Sequence, residues 1–368
     1  MNKMTRISSL VLALMFCLAL TTSAMADFEG YTSINGDETE VPKYLVLDKN
    51  APVPEMTFTF AIRSATEAEC GDNVTPGPTG ATVGNVTLNS SSDTYTTAVT
   101  GNSALADVDW TAQIVAHDTF TLDFSEVTFL KPGIYRYVLT ETAGALDAVT
   151  YDNSTKYVDV YVVNGTTEGT LVVQGYIVHN EETGDFAYNT DPGMTVTGKS
   201  EGFLNELETF DLTLEKKLAG NQANYDDTFA FTITVTLPTG MASATYTIET
   251  VTPTVTGATT LTATGNATVT LGKDAKIGIK GLPKGAKVDI SEVNGLYTMS
   301  YTVNGTAGTV VDNNSITQHT VTADVDFVVT NTLNGTIPTG VLLTVAPFAV
   351  LMIVGLIGVV VFLKKRRD

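Results

Sequence analysis

The run Ile134-Tyr135-Arg136-Tyr137-Val138-Leu139-Thr140-Glu141 decides the fold class. Residues two apart along an extended chain share a face. Tyr135, Tyr137 and Leu139 therefore form one apolar face, Arg136 points away, and Glu141 falls on the apolar side. Comparable alternation recurs upstream and downstream: Lys43 to Leu47, Thr57 to Ile62, Thr119 to Phe124, Tyr157 to Val163, Asp211 to Leu218, Thr228 to Thr236, Ala267 to Leu271, Lys287 to Ile290 and Val325 to Val329. Gly, Pro, Asn and Asp punctuate these segments, and helical periodicity is nearly absent. Many short strands bounded by turn residues indicate an all-β sandwich or barrel. The abundance of Thr, Val and Gly agrees with that reading.

Both ends carry processing signals. Lys3 and Arg6 precede an apolar stretch, Leu10 to Leu20, too short to span a bilayer, and Ala24-Met25-Ala26 fits a signal-peptidase site. Residues 1–26 are read as a cleaved signal peptide, with Cys17 discarded in it. At the other end Ile337-Pro338-Thr339-Gly340 precedes an apolar run, Val341 to Leu363, long enough for a membrane helix. Lys364-Lys365-Arg366-Arg367 would hold its end in the cytoplasm. The Pro-Thr-Gly would then stand just outside the membrane, within reach of an extracytoplasmic transpeptidase.

The full chain has a net charge of −20. Removing Lys3, Arg6, the four basic tail residues and Asp368 leaves 14 basic and 39 acidic residues, hence −25. So acidic a surface repels nucleic acid and anionic membranes. Cys70 alone remains after processing, so no internal disulfide is available. No cofactor or metal motif is present, and His117, His179 and His319 are too scattered to suggest a hydrolase.

The chain repeats weakly. Lys43, Phe58-Thr59-Phe60, Glu141 and Asn205 follow one another in the first half; Lys216, Phe229-Ala230-Phe231, Glu292 and Asn331 follow in the second. Parity places all six polar groups on apolar faces: Lys43 with Val41 and Leu45, Lys216 with Leu214 and Leu218, Glu292 with Val288 and Ile290, Asn331 with Phe327 and Val329, Asn205 with Phe203. Burying such groups costs several kcal/mol unless they are paired or neutralised. Two readings stand. The residues are solvated strand ends or buried ion pairs; or each set forms an intramolecular Lys–Asn isopeptide bond. In the second case desolvation lowers the lysine pKa and raises the glutamate pKa. A neutral amine attacks, and a protonated carboxyl donates to the Asn carbonyl and shuttles protons as ammonia leaves. Lys49 shares the parity of Lys43 and is its rival.

These residues resemble the streptococcal T-antigen type major pilins. The resemblance runs from about Lys43 to Gly340, and its most specific stretch is Leu122-Asp123-Phe124-Ser125-Glu126-Val127-Thr128-Phe129-Leu130-Lys131-Pro132-Gly133-Ile134-Tyr135. Phe203-Leu204-Asn205 followed by Leu212-Thr213-Leu214-Glu215-Lys216-Lys217 is a second, and Thr330-Asn331 shortly before the Pro-Thr-Gly a third. It implies two Ig-like β-sandwich domains in tandem, at 27–206 and 207–335, followed by a sorting signal at 336–368. It also implies links from Lys43 to Asn205 with Glu141 assisting, and from Lys216 to Asn331 with Glu292 assisting. Sortase would cut between Thr339 and Gly340, within the motif opened by Ile337 and Pro338, and join Thr339 to a lysine of a neighbouring subunit. Lys199 is the candidate acceptor, with Lys156 a second exposed candidate; either is equally an ordinary lysine.

The resemblance thus implies the shaft subunit of a sortase-assembled, cell wall-anchored pilus, held transiently in the membrane by residues 341–363. Its partners would be sortase, neighbouring pilin subunits and peptidoglycan, and it is not an enzyme in the turnover sense. The alternative is a wall-anchored or minor-pilin adhesin recognising a host protein or glycan, with Gly71 to Ser103 as a binding loop or a solvated insertion.

Overall fold

A computed structural model describes residues 32–33, 39–71, 73–180, 200, 202–252, 255–336 and 339–366. Residues 1–26, read above as a signal peptide, and Lys199, Ile337 and Pro338 lie outside that set.

The chain folds as two β-sandwiches in series. In the first, one sheet runs in the order Thr32–Ser33, Leu171–His179, Thr155–Asn164, Gly133–Thr142, Met56–Ser64, Val86–Leu88, with Val74–Pro76 added beside Gly133–Thr142. The facing sheet runs Val149–Thr150, Phe203–Leu207, Thr39–Asp48, Gln113–Asp123, Thr82–Val83, with Asp93–Tyr95 beside Gln113–Asp123. In the second sandwich one sheet centres on Lys276–Pro283, Thr209–Ala219 and Val325–Thr332, and the other on Asn266–Gly272, Thr228–Thr236 and Lys287–Glu292. Each sandwich closes on its own apolar core: Leu45, Phe58, Phe120, Tyr137 and Phe203 in the first, Leu214, Phe231, Ile279, Val288 and Phe327 in the second.

In both sandwiches the first long strand lies parallel to the last. Thr39–Asp48 pairs with Phe203–Leu207, and Thr209–Ala219 pairs with Val325–Thr332. Parallel neighbours need a long crossover rather than a hairpin, and here the whole intervening domain supplies it.

The stretch from Gly71 to Ser103 is neither a free loop nor a detached insertion. Its short strands join both sheets of the first sandwich, pairing with Gly133–Thr142, Met56–Ser64 and Gln113–Asp123. The chain that follows covers the outer face of the second sheet, where Tyr44, Val46, Leu105 and Val115 form a small separate core with Trp110 against it. The strand Thr39–Asp48 is thus buried on both faces, and its burial does not alternate.

The junction between sandwiches is tight. The Glu55 N–H donates to the Ser243 carbonyl at 2.7 Å, and the Ala242 N–H donates to the Glu55 carbonyl at 2.8 Å. Thr209 Oγ1 donates to Asp48 Oδ2, and Met241 packs into the core of the first sandwich. At Gly281 φ is +71°, and a Cβ there would lie 2.3 Å from Ala51 Cα. Only glycine meets both conditions.

A helix, Thr339–Lys365, ends the described chain with Lys364 and Lys365 in its last turn. Among the residues whose side chains are described, no helix is long and apolar enough to cross a membrane. Those side chains begin at Val350 within this helix, so a span over Val341 to Leu363 stays an expectation.

Candidate functional site: two buried lysine–glutamate–asparagine triads

In the first sandwich the parallel pairing sets Lys43 opposite Phe203 and Leu45 opposite Asn205. Lys43 and Asn205 are therefore two positions apart in register and share the inward face. The second sandwich repeats this: Lys216 is opposite Val329 and Leu218 opposite Asn331. Glu141 and Glu292 come from the facing sheets, on Gly133–Thr142 and Lys287–Glu292.

The side chains meet. Lys43 Nζ donates to Glu141 Oε2 at 2.7 Å, and Asn205 Nδ2 donates to Glu141 Oε1 at 2.5 Å. In the second site Lys216 Nζ donates to Glu292 Oε1 at 2.6 Å, and Asn331 Nδ2 donates to the same oxygen at 2.9 Å. Lys43, Lys216 and Asn331 are 0% exposed, and Glu141, the most accessible of the six, only 8%. Aromatic rings line both lysines: Lys43 Nζ is 4.7 Å from the Phe58 ring centre and Lys216 Nζ is 4.5 Å from that of Phe229.

The electrostatics follow from burial. Desolvation outweighs the attraction of Glu141 and lowers Lys43 to about 8. The same balance against Glu292 lowers Lys216 to about 8. Desolvation likewise raises Glu292, against the pull of Lys216. An amine so shifted sheds its proton far more readily than one in water.

The contact pattern departs from the sequence expectation in one respect. Each glutamate touches the amide nitrogen of its asparagine rather than the carbonyl oxygen. It bridges the attacking amine and the group that would leave. In the first site Asn205 Oδ1 accepts instead from the Asp152 N–H, at 2.8 Å. Alternation cannot reveal that donor, because it belongs to a turn.

Other expectations meet the structure as follows. Lys49 is exposed, beyond the end of its strand. Lys156 is not exposed: it is 7% accessible, its Nζ donates to Asn180 Oδ1 at 2.7 Å, and burial lowers its pKa. The strand Thr155–Asn164 sets it 5.4 Å from the Phe203 ring centre. Thr339 and Gly340 open the C-terminal helix. Arg136 points away from the core as expected, yet it is fully buried, forked onto Asp159 at 2.7 and 2.8 Å with Nη1 donating to the Glu69 carbonyl. Cys70 is half-buried beside Ala65, Val138 and Tyr157 in the cover over that pair.

The family described as the Spy0128-like isopeptide containing domain matches residues 40–191. A second family, described as a domain of unknown function, matches residues 210–331. A curated protein named pilin, from Streptococcus pyogenes serotype M1, is 30% identical over 95% of this chain and 96% of its own length. The crystal structure of the major pilin from Streptococcus pyogenes superposes with a TM-score of 0.53 at 23% identity, covering 81% of this chain and 100% of that one. The major pilin T-13 of the same species gives 0.54 at 22% identity, covering 82% and 98%. The 30% identity across nearly the whole of both chains, with the family match over the first sandwich, places this chain in the family of Spy0128-like isopeptide-domain pilins.

Proposed function

We propose that this pilin is the structural backbone subunit of a sortase-assembled surface pilus, and that each sandwich is closed by an autocatalytic isopeptide bond. Lys43 joins Asn205 with Glu141 assisting, and Lys216 joins Asn331 with Glu292 assisting. The observation that carries this is the repeated triad. Two fully buried lysines, each with a carboxylate and an amide in hydrogen-bond contact, stand at the same register in two sandwiches.

The chemistry balances within each triad. Lysine passes a proton to the glutamate, and its freed lone pair attacks the asparagine Cγ. The C=O electrons move to Oδ1. As they return, the carboxyl hands its proton to Nδ2, the Cγ–Nδ2 bond breaks and ammonia departs, while the glutamate takes the second proton from the new amide nitrogen. Folding fixes amine, carboxyl and amide together, which supplies the proximity a bimolecular reaction lacks.

The domain division at 206/207, cleavage after Ala26, and sortase cleavage between Thr339 and Gly340 belong to the same reading. So do retention by the C-terminal helix, attachment to peptidoglycan at the cell surface, and Lys199 as acceptor from a neighbouring subunit. Intact-mass measurement of the mature region tests the cross-links: two ammonias should be missing, and one when Glu141 or Glu292 is changed to Ala. A mass equal to the plain sequence overturns them. SDS-resistant ladders on the cell surface test the shaft; a single monomer band would favour the adhesin.

A further inference from the structure

The geometry points to the Asp152 main-chain N–H as the group that activates the Asn205 carbonyl, with the Asp152 carboxylate as the clamp that aims it. This rests on the Lys43–Asn205 bond proposed above and adds a part which that reading does not contain.

Glu141 is occupied on both oxygens, by Lys43 Nζ and by Asn205 Nδ2. It serves the nucleophile and the leaving group, and neither contact stabilises charge on Oδ1. That oxygen is where negative charge develops when the amine adds to Cγ. The Asp152 N–H donates to it at 2.8 Å, the distance at which an oxyanion donor works. The N–H transfers no proton. It holds the charge on Oδ1 until the carbonyl re-forms and Nδ2 leaves as ammonia with the proton from Glu141.

The turn that carries this donor is fixed from two sides. Val149–Thr150 pairs with Leu207 and Glu206, bringing the turn beside the closing strand. Asp152 Oδ2 accepts from the Leu204 N–H at 3.1 Å, one residue before the reacting asparagine. Asp152 Oδ1 accepts from the Ser154 N–H at 2.8 Å, and Ser154 Oγ donates to the same oxygen. One side chain thus ties the turn to the strand it serves. Among the described residues the second sandwich has no counterpart, for Asn331 Oδ1 has no hydrogen-bond partner.

The test follows linking in each sandwich separately, by peptide mass after refolding of the full mature region. The second sandwich is the internal control. Loss of one oxyanion donor costs about 10²–10³ in rate elsewhere. Asp152→Ala keeps the N–H but releases it, so the first-sandwich rate should fall about tenfold or more, with the second unchanged. Asp152→Asn keeps one acceptor but sets an amide NH2 against either the Leu204 or the Ser154 N–H, so its rate should fall between those of the parent and Asp152→Ala. Both variants remove a charge that raises the Lys43 pKa, so both pH–rate profiles should shift alike to lower pH, and rates are compared at their maxima. Trp110 fluorescence in an Asn205→Ala background checks that each variant folds, and if the alanine variant does not, the Asn variant decides. A first-sandwich rate within about twofold of the parent in folded Asp152→Ala overturns the proposal. So does an equal fall in Asp152→Ala and Asp152→Asn once their pH profiles are aligned, which would mean that Asp152 acts through its charge on Lys43. If the unmutated protein loses no ammonia from its first sandwich, the cross-link reading itself fails, whatever Asp152 does.

Discussion

The two triads share a register and differ in what surrounds the amide. In the first, Glu141 divides its oxygens between amine and amide, and the Asn205 carbonyl has its own donor. In the second, one oxygen of Glu292 takes both contacts, while Glu292 Oε2 and Asn331 Oδ1 are buried without partners. Each such orphan costs about 1–3 kcal/mol. A proton on Glu292 Oε2, donated to Asn331 Oδ1, would satisfy both, and burial already raises the pKa of this acid. The parallel strand pairing decides which residues meet, and the surrounding turns decide how the carbonyl is activated. On this view a main-chain N–H does so in the first sandwich and a carboxylic acid in the second.

The most forceful way to break the comparison is to remove each bond in turn. If the proposed bonds form, Asn331→Ala opens a loop of 115 residues, counted from Lys216, and Asn205→Ala one of 162, counted from Lys43. By analogy with other covalent loop closures, each bond contributes about 4–5 kcal/mol. Calorimetry should show the affected sandwich melting about 10–20 °C lower, with its neighbour little changed. Equal stability with and without the amide would mean that no bond forms there.

Acid–base behaviour sharpens it next. The reacting pair needs one proton between lysine and glutamate. With each lysine at about 8, that proton is lost at higher pH. Linking should slow about tenfold per unit above about 8 in both sandwiches. Peptide-mass time courses across pH read this directly, and a rate still climbing at pH 10 would contradict a shared proton.

A smaller effect is expected at the junction. Gly281→Ala forces a side chain against Ala51 at positive φ, costing about 1–3 kcal/mol. The loss should appear as faster hydrogen exchange at Glu55 and Ala242, while both cross-links persist. The last is a slope. In Asn331→Ala the free Lys216 keeps a folded pKa of about 8 against 10.5 unfolded. Between these values the unfolded chain holds a proton that the folded chain does not, so stability rises with pH across that window and is flat below it. Urea titrations at pH 7, 9 and 10 would measure it.

Much of this was legible in the sequence. Two-residue parity alone put Lys43, Glu141, Asn205, Lys216, Glu292 and Asn331 on inward faces, because strand geometry leaves a side chain only two directions. Parity was silent on cover. It sent Arg136 outward without revealing that the chain around Glu69 and Cys70 folds over it. It gave Lys156 as exposed, when burial beside Phe203 and a hydrogen bond to Asn180 hold it in. Asp152 was invisible for a different reason. Its contribution is a main-chain N–H in a turn, a group every residue but proline carries.

The parallel pairing of first and last strands has a mechanical consequence. With the welds in place, a pull on the ends of a sandwich passes from its first long strand to its last and never enters the residues between them. In the first sandwich 161 residues lie between Lys43 and Asn205, about 560 Å of extended chain. That reserve of contour would stay locked, so such a fibre would behave as a nearly inextensible cord until covalent bonds break.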